Sequence, residues 1–199
     1  MSNKFQKRGS QFGRTENDSR MNKHSAGGKA LLKEESEIDE LLESKDELFI
    51  LVLDCVQDPH NLGACIRTAN GAGVDAVIIP KDKAAPVTET AIAISCGGAA
   101  HTPIFRVTNL SRVLEKLKKA GVWIGGTSDQ ATTDLYDTNL KGSLALVMGA
   151  EGKGMRRLTE EKCDFLISIS MAGHVDCLNV SVATGVCLFE AVRQRRPAK

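Results

Sequence analysis

Aromatic residues are scarce in this 199-residue chain, with one Trp, one Tyr and six Phe making 4% of it. Such a count excludes a platform of several exposed aromatics, the usual mark of a groove for single-stranded nucleic acid. An excess of one charge is missing as well. The net charge of +1 gives no global electrostatic footprint, so any contact with RNA must rest on local patches. No apolar run nears the roughly twenty residues of a membrane span, and no signal-peptide pattern opens the chain. The six cysteines form no C-x-x-C pair, and no Cys/His quartet has metal-site spacing. They are expected to be reduced thiols of a cytosolic protein, packing as small hydrophobes or incidental, with Cys177 set apart by its place in the last loop, and with no metal and no membrane involved. Neither G-x-G-x-x-G nor a Gly-Lys-Ser/Thr phosphate loop is present, which disfavours a common dinucleotide or nucleoside-triphosphate site.

What is there divides in two. Residues 1–47 are polar. Up to Lys33 they carry eight Lys and Arg against Glu16 and Asp18, the composition of a mobile basic arm. An acidic patch from Glu34 to Glu43 follows, in which Leu31, Leu32, Ile38, Leu41 and Leu42 recur at roughly helical spacing and predict a short amphipathic helix. From residue 48 to 199 strand and helix patterns alternate. Strands are predicted at 48–53, 76–79, 104–107, 122–125, 144–148 and 165–169. Helices are predicted at 62–72, 89–96, 110–119, 155–161 and 178–195. This alternation predicts an α/β fold, a parallel sheet covered by helices.

In open α/β sheets ligands sit beyond the carboxyl ends of the strands. Three loops at such ends carry the informative residues. Asp58-Pro-His-Asn-Leu-Gly-Ala-Cys-Ile-Arg-Thr-Ala69 follows the first strand. Gly149-Ala-Glu-Gly-Lys-Gly154 and Met171-Ala-Gly-His-Val-Asp-Cys-Leu-Asn-Val-Ser181 follow two later ones. Glycines there let backbone groups approach a ligand. Glu151 has two readings, a pocket carboxylate or a cap for the helix near Met155. Asn179 and Ser181 open the last helix, where polar side chains satisfy free amides. Arg67, on a helix rich in small residues, can reach a phosphate with its bidentate fork or serve as a surface ion-pair partner. His60, His101 and His174 sit in loops without a carboxylate partner visible in the sequence.

Together these segments resemble the three motifs of the SpoU/TrmH family of RNA ribose 2′-O-methyltransferases, in the SPOUT superfamily. The matching stretches are Asn61-Leu-Gly-Ala-Cys-Ile-Arg-Thr-Ala69, Met148-Gly-Ala-Glu-Gly-Lys-Gly154, and Ile169-Ser-Met-Ala-Gly173 with Leu178-Asn-Val-Ser-Val-Ala183. The resemblance runs from about Leu48 to Arg196 and looks closest to the bacterial 23S rRNA guanosine 2′-O-methyltransferase branch. It implies a C-terminal deep trefoil knot, a homodimer, and S-adenosylmethionine as cofactor. Carried over, Gly149, Ile169, Met171, Gly173 and Leu178 would meet the cofactor. Asn61, Arg67, Glu151, Asn179 and Ser181 would form the catalytic site. The chain departs from the family pattern at Ser170, where proline is usual, and at Cys177, where serine is usual. It also lacks, within residues 1–47, room for the ribosomal-protein-type RNA-binding domain common in that branch. The competing expectations are a tRNA ribose methyltransferase of the same fold and a non-catalytic RNA-binding or ribosome-assembly factor.

Overall fold

Five-residue runs such as Phe-Ile-Leu-Val-Leu and Leu-Ala-Leu-Val-Met are apolar on both faces, so they gain most at the centre of a sheet covered on both sides. The computed structural model describes residues 29–150, 152 and 154–196, and there these runs are fully buried strands. Residues 1–28 of the basic arm and the candidate Glu151 lie outside the described residues, whereas the arm's last two residues, Leu32 and Lys33, lie in a strand. The strands are β1 (Leu32–Glu34), β2 (Phe49–Leu53), β3 (Ala76–Pro80), β4 (Ile104–Val107), β5 (Trp123–Thr127), β6 (Leu144–Met148) and β7 (Phe165–Ile167). All pair in parallel in the order β1-β4-β3-β2-β6-β5-β7. The chain therefore steps outward from β2 to β4, then crosses and builds the other half. The reversal falls between β2 and β6, where Leu53 pairs with Met148. That is the position at which a parallel sheet opens a ligand crevice.

Alternation along β2 sends Phe49, Leu51 and Leu53 to one side and Ile50 and Val52 to the other. The first side is covered by α2 (Pro59–Ala72), α3 (Glu89–Ile94) and α7 (Val180–Arg195). The second is covered by α1 (Ile38–Glu43) and α5 (Leu110–Lys119). Short helices α4 (Gly98–His101) and α6 (Arg157–Glu160) complete the described helices, beside 3-10 turns at Glu35–Glu37 and Leu135–Asp137. Burial pushes the thiols of Cys65 up to about 11 and of Cys187 up to about 12, so both stay protonated and pack as apolar groups.

Several boundaries differ from the sequence pattern for local reasons. Helix α2 starts at Pro59 because Asp58 accepts the His60 amide at 2.9 Å and proline suits the first turn. The helix predicted at 89–96 stops at Ile94, since Cys96 and Gly97 turn left-handed before α4. The last helix begins at Val180, with Asn179 as its cap. Strand β1 has no strand pattern of its own. It is held as an edge by pairing with β4, and the acidic patch docks behind it: Glu34 meets Lys81 at 2.9 Å, Asp39 meets Lys116 at 2.6 Å, and Glu35 pairs with Arg112. Each exposed pair contributes about 0–1 kcal/mol, whereas burying Ile38 and Leu41 contributes roughly 1.5–3 kcal/mol apiece. The apolar pair is thus the main anchor and the charges set its register.

At the far end of α7, Glu190 is only 7% exposed. It accepts from Arg193 Nε and Nη2 and from Gln194 Nε2, each at 2.8 Å, while Gln194 also reaches Thr138 O and the Leu140 amide at 2.9 Å. The Arg193 guanidinium, helped by Gln194, holds the Glu190 carboxyl at about 2, below its usual 4.5. A depressed carboxylate stabilises the fold above its unfolded value and loses that contribution as pH falls toward its folded value. Thermal unfolding between about pH 4.5 and 2 should therefore show a loss of stability that Glu190→Gln shallows; an unchanged acid profile in that variant would remove Glu190 from the account.

Candidate functional site

Asp54, directly after β2, is 0% exposed. Its amide donates to Met148 O at 2.8 Å, and its carboxylate receives the Arg156 amide at 2.8 Å, Nε at 2.7 Å and Nη2 at 2.6 Å. The loop after β6 is thereby drawn back over the end of β2. Within it Ala150 and Gly154 exchange backbone hydrogen bonds at 3.0 and 2.9 Å, closing a tight hairpin. A Cβ on Gly149 would lie 2.3 Å from the Gly154 carbonyl carbon and 2.4 Å from the Met155 nitrogen. Glycine at 149 is therefore demanded by the returning chain itself.

The first and third motifs touch. Asn179 Nδ2 donates to Asn61 Oδ1 at 3.1 Å, and Asn179 Oδ1 accepts from the Ser181 amide at 2.9 Å and hydroxyl at 2.6 Å. Beside them lies a cleft of about 630 Å³, lined by residues from three loops and two helices, among them Cys55, Asn61, Lys83, Ala150, Arg156 and Val180. Arg67 does not line it. Six residues after Asn61 on a helix, it stands about 9 Å farther along the axis and about 120° around it, exposed on α2. His60, unlike the reading from sequence, has a carboxylate neighbour, with Nδ1 3.1 Å from Asp58 Oδ1.

The loop after β7 is tied down from outside the motifs. Ser168 accepts the Leu135 amide at 2.8 Å and donates its own to Thr133 O at 2.9 Å. The Ser170 hydroxyl donates to the Asp134 carboxylate, and this bond leads the contacts that hold Asp134 below the usual carboxylate range. Where proline would stiffen the loop by fixing φ, Ser170 fastens it with a hydrogen bond. Ile169 packs on the core, Met171 and Leu178 are half-buried, and Gly173 is exposed with open space around its Cα. Among the described residues the backbone of 171–178 makes no hydrogen bond to another backbone group.

The sequence model of the SpoU rRNA methylase family matches residues 48–189. The chain belongs to the SpoU rRNA methylase family. Over 161 residues it is 60% identical to a 23S rRNA (guanosine-2′-O-)-methyltransferase from Vibrio cholerae, spanning 81% of this chain and 65% of that relative. Among solved structures, the SpoU methyltransferase AviRb from Streptomyces viridochromogenes superposes with a TM-score of 0.73 at 26% identity, over 78% of this chain and 63% of that one. An AdoMet-bound rRNA methyltransferase from Sinorhizobium meliloti gives 0.70 at 31%, over 75% and 57%. The family motifs are thus the loops that the sheet gathers around its switch point, while Asp54, Arg156, Asp134 and Lys83 join them without having been singled out by sequence. A polar residue ending a fully apolar strand was the one available signal for Asp54.

Two substitutions probe this framework. Arg156→Ala strands a buried carboxylate and should cost about 3 kcal/mol in urea unfolding; a cost under about 1 kcal/mol would show that water replaces the guanidinium. Cys55 has φ +64°, a left-handed conformation that costs a side chain about 1–2 kcal/mol. Cys55→Gly should accordingly raise the urea midpoint, and a lowered midpoint would mean that packing of the thiol outweighs the strain.

Proposed function

We propose that this chain is an S-adenosylmethionine-dependent methyltransferase that acts as a homodimer on the 2′-hydroxyl of a guanosine ribose in the peptidyl-transferase centre of 23S rRNA, in the cytoplasm. The observation that carries the reading is the meeting of Asn61 and Asn179 at the cleft, in a chain whose 60% identical relative bears that activity in its name. Residues 48–199 are taken as the methyltransferase domain, onto which residues 29–47 pack. A trefoil knot in the C-terminal part is also inferred. Its support is the return of the chain from β7 at the sheet edge to α7 against α2, beside the segment around Asp134 that pairs with Ser168.

The residues present suit the cofactor. Gly149, on the loop after β6, and Ile169, Met171, Gly173 and Leu178, on the loop after β7, would hold it through backbone groups and a half-buried apolar lining. When bound, S-adenosylmethionine supplies an electrophilic methyl group. A ribose hydroxyl is a weak nucleophile near neutral pH, so the chain must orient it and favour its alkoxide. Asn61, whose oxygen is engaged by Asn179, keeps its amide hydrogens for a substrate oxygen. Asn179 and Ser181 fix the start of α7, and Glu151 keeps the role in the catalytic set that the family motif implies for it. Arginine in general is a poor base; the role assigned to Arg67 is to hold a substrate phosphate and stabilise developing negative charge.

Since Arg67 lies away from the cleft of its own chain, a second copy is expected to bring its Arg67 there. Val182 (52% exposed) and Phe189 (49% exposed) share one face of α7, with Phe189 beside Gly71 of α2. They suit burial in such a dimer. Labelled S-adenosylmethionine should transfer its methyl to undermodified 23S rRNA as 2′-O-methylguanosine. Label on bulk tRNA instead would move the substrate, and absence of cofactor binding would favour a non-catalytic RNA-binding factor. Arg67→Ala should lose roughly 100-fold or more in turnover with cofactor affinity kept; wild-type turnover would sink its assigned role.

A further inference from the structure

We infer that Lys83 is an RNA-phosphate contact at the mouth of the cleft, held in place by a strained loop; this rests on the RNA methyltransferase reading above. Three non-glycine residues among those described have positive φ: Cys55 at 64°, Lys83 at 58° and Cys96 at 49°. Two of the three, Cys55 and Lys83, line the same cleft. Side chains avoid this conformation at a cost of about 1–2 kcal/mol, and such strain persists where surrounding structure over-determines it, commonly at binding sites. The loop carrying Lys83 meets that description. It is pinned at one end by the Lys81 amide on Val107 O and at the other by the Ala85 amide on Val56 O, both 2.8 Å.

The charges sort in the same way. Arg156, on the cleft wall, is spent on Asp54, and Lys81, two residues before Lys83, is spent on Glu34 at 2.9 Å. Lys83 makes no ion pair or side-chain hydrogen bond among the described residues. An exposed, uncommitted ammonium on a cleft that Asn61 also lines suits a backbone phosphate next to the nucleotide being modified, since phosphate contacts set register without reading sequence.

A glycine substitution separates charge from folding. Lys83→Gly removes the ammonium and relieves the left-handed strain, so the variant should be at least as stable as wild type. Its binding to undermodified 23S rRNA should be roughly five- to tenfold weaker at about 50 mM salt, with a salt slope reduced by about 0.7–0.9, the signature of one lost phosphate contact. Lys83→Arg should keep the wild-type slope, and both variants should bind S-adenosylmethionine as wild type does. An unchanged slope in Lys83→Gly overturns the inference while wild-type methyl transfer leaves the functional reading standing. Weakened cofactor binding with the RNA slope intact also overturns it, by moving Lys83 to the cofactor. A wild-type chain that neither binds nor methylates RNA removes both together.

Discussion

A carboxylate shut away from water at the end of a central strand has to be met by donors, because an unpaired buried charge costs several kcal/mol. Asp54 is that carboxylate, and three donors of Arg156 meet it. Arg156 is seven residues beyond Gly149, so satisfying Asp54 forces the chain leaving β6 to fold back over β2 within one short loop. The close approach at Gly149 and the left-handed Gly152 and Gly154 are consequences of that return. Glycines that read as backbone windows for a ligand are first of all what the ion pair makes necessary.

The other wall of the cleft depends on the seating of α2. A Cβ on Gly63 would lie 2.5 Å from Ala91 O, and one on Gly98 would lie 3.2 Å from the Arg67 Cα. Both glycines let α3 and α4 press against α2, while Asp58 fixes where the helix begins. With start and rotation set, helical geometry alone decides that Asn61 faces Asn179 and Arg67 points elsewhere. The separation of these two residues within one chain is therefore built into the scaffold, and side-chain flexibility cannot undo it.

Most of the sheet was legible because its strands are buried on both faces and read as apolar runs, and because caps such as Asp58 and Asn109 sit beside the helices they open. The three motif loops were legible for the same reason, since each directly follows a clear strand. What stayed hidden depends on partners far away in sequence. Strand β1 exists through pairing with β4, some seventy residues on. Asp54 and Arg156 are 102 residues apart, and Ser170 and Asp134 are 36 apart. No local period or propensity encodes such pairs. Ser170 shows the cost most plainly: read alone it loosens a loop by replacing proline, yet its hydroxyl fastens that loop to Asp134.

A net charge of +1 hides a division of labour among the cations. The acidic stretch behind β1 takes up Lys81, Arg112 and Lys116, and in doing so withdraws them from any polyanion. Exposed ion pairs of this kind add little stability, so their larger effect is to decide which positive charges remain available. On the cleft lining at the switch point that leaves Lys83, on a loop tied at both ends, while Arg67 is exposed on α2 away from it. Pairing of this kind leaves Lys83 as a cation on the cleft lining with no ion pair among the described residues, while Arg156 on the same lining is bound to Asp54.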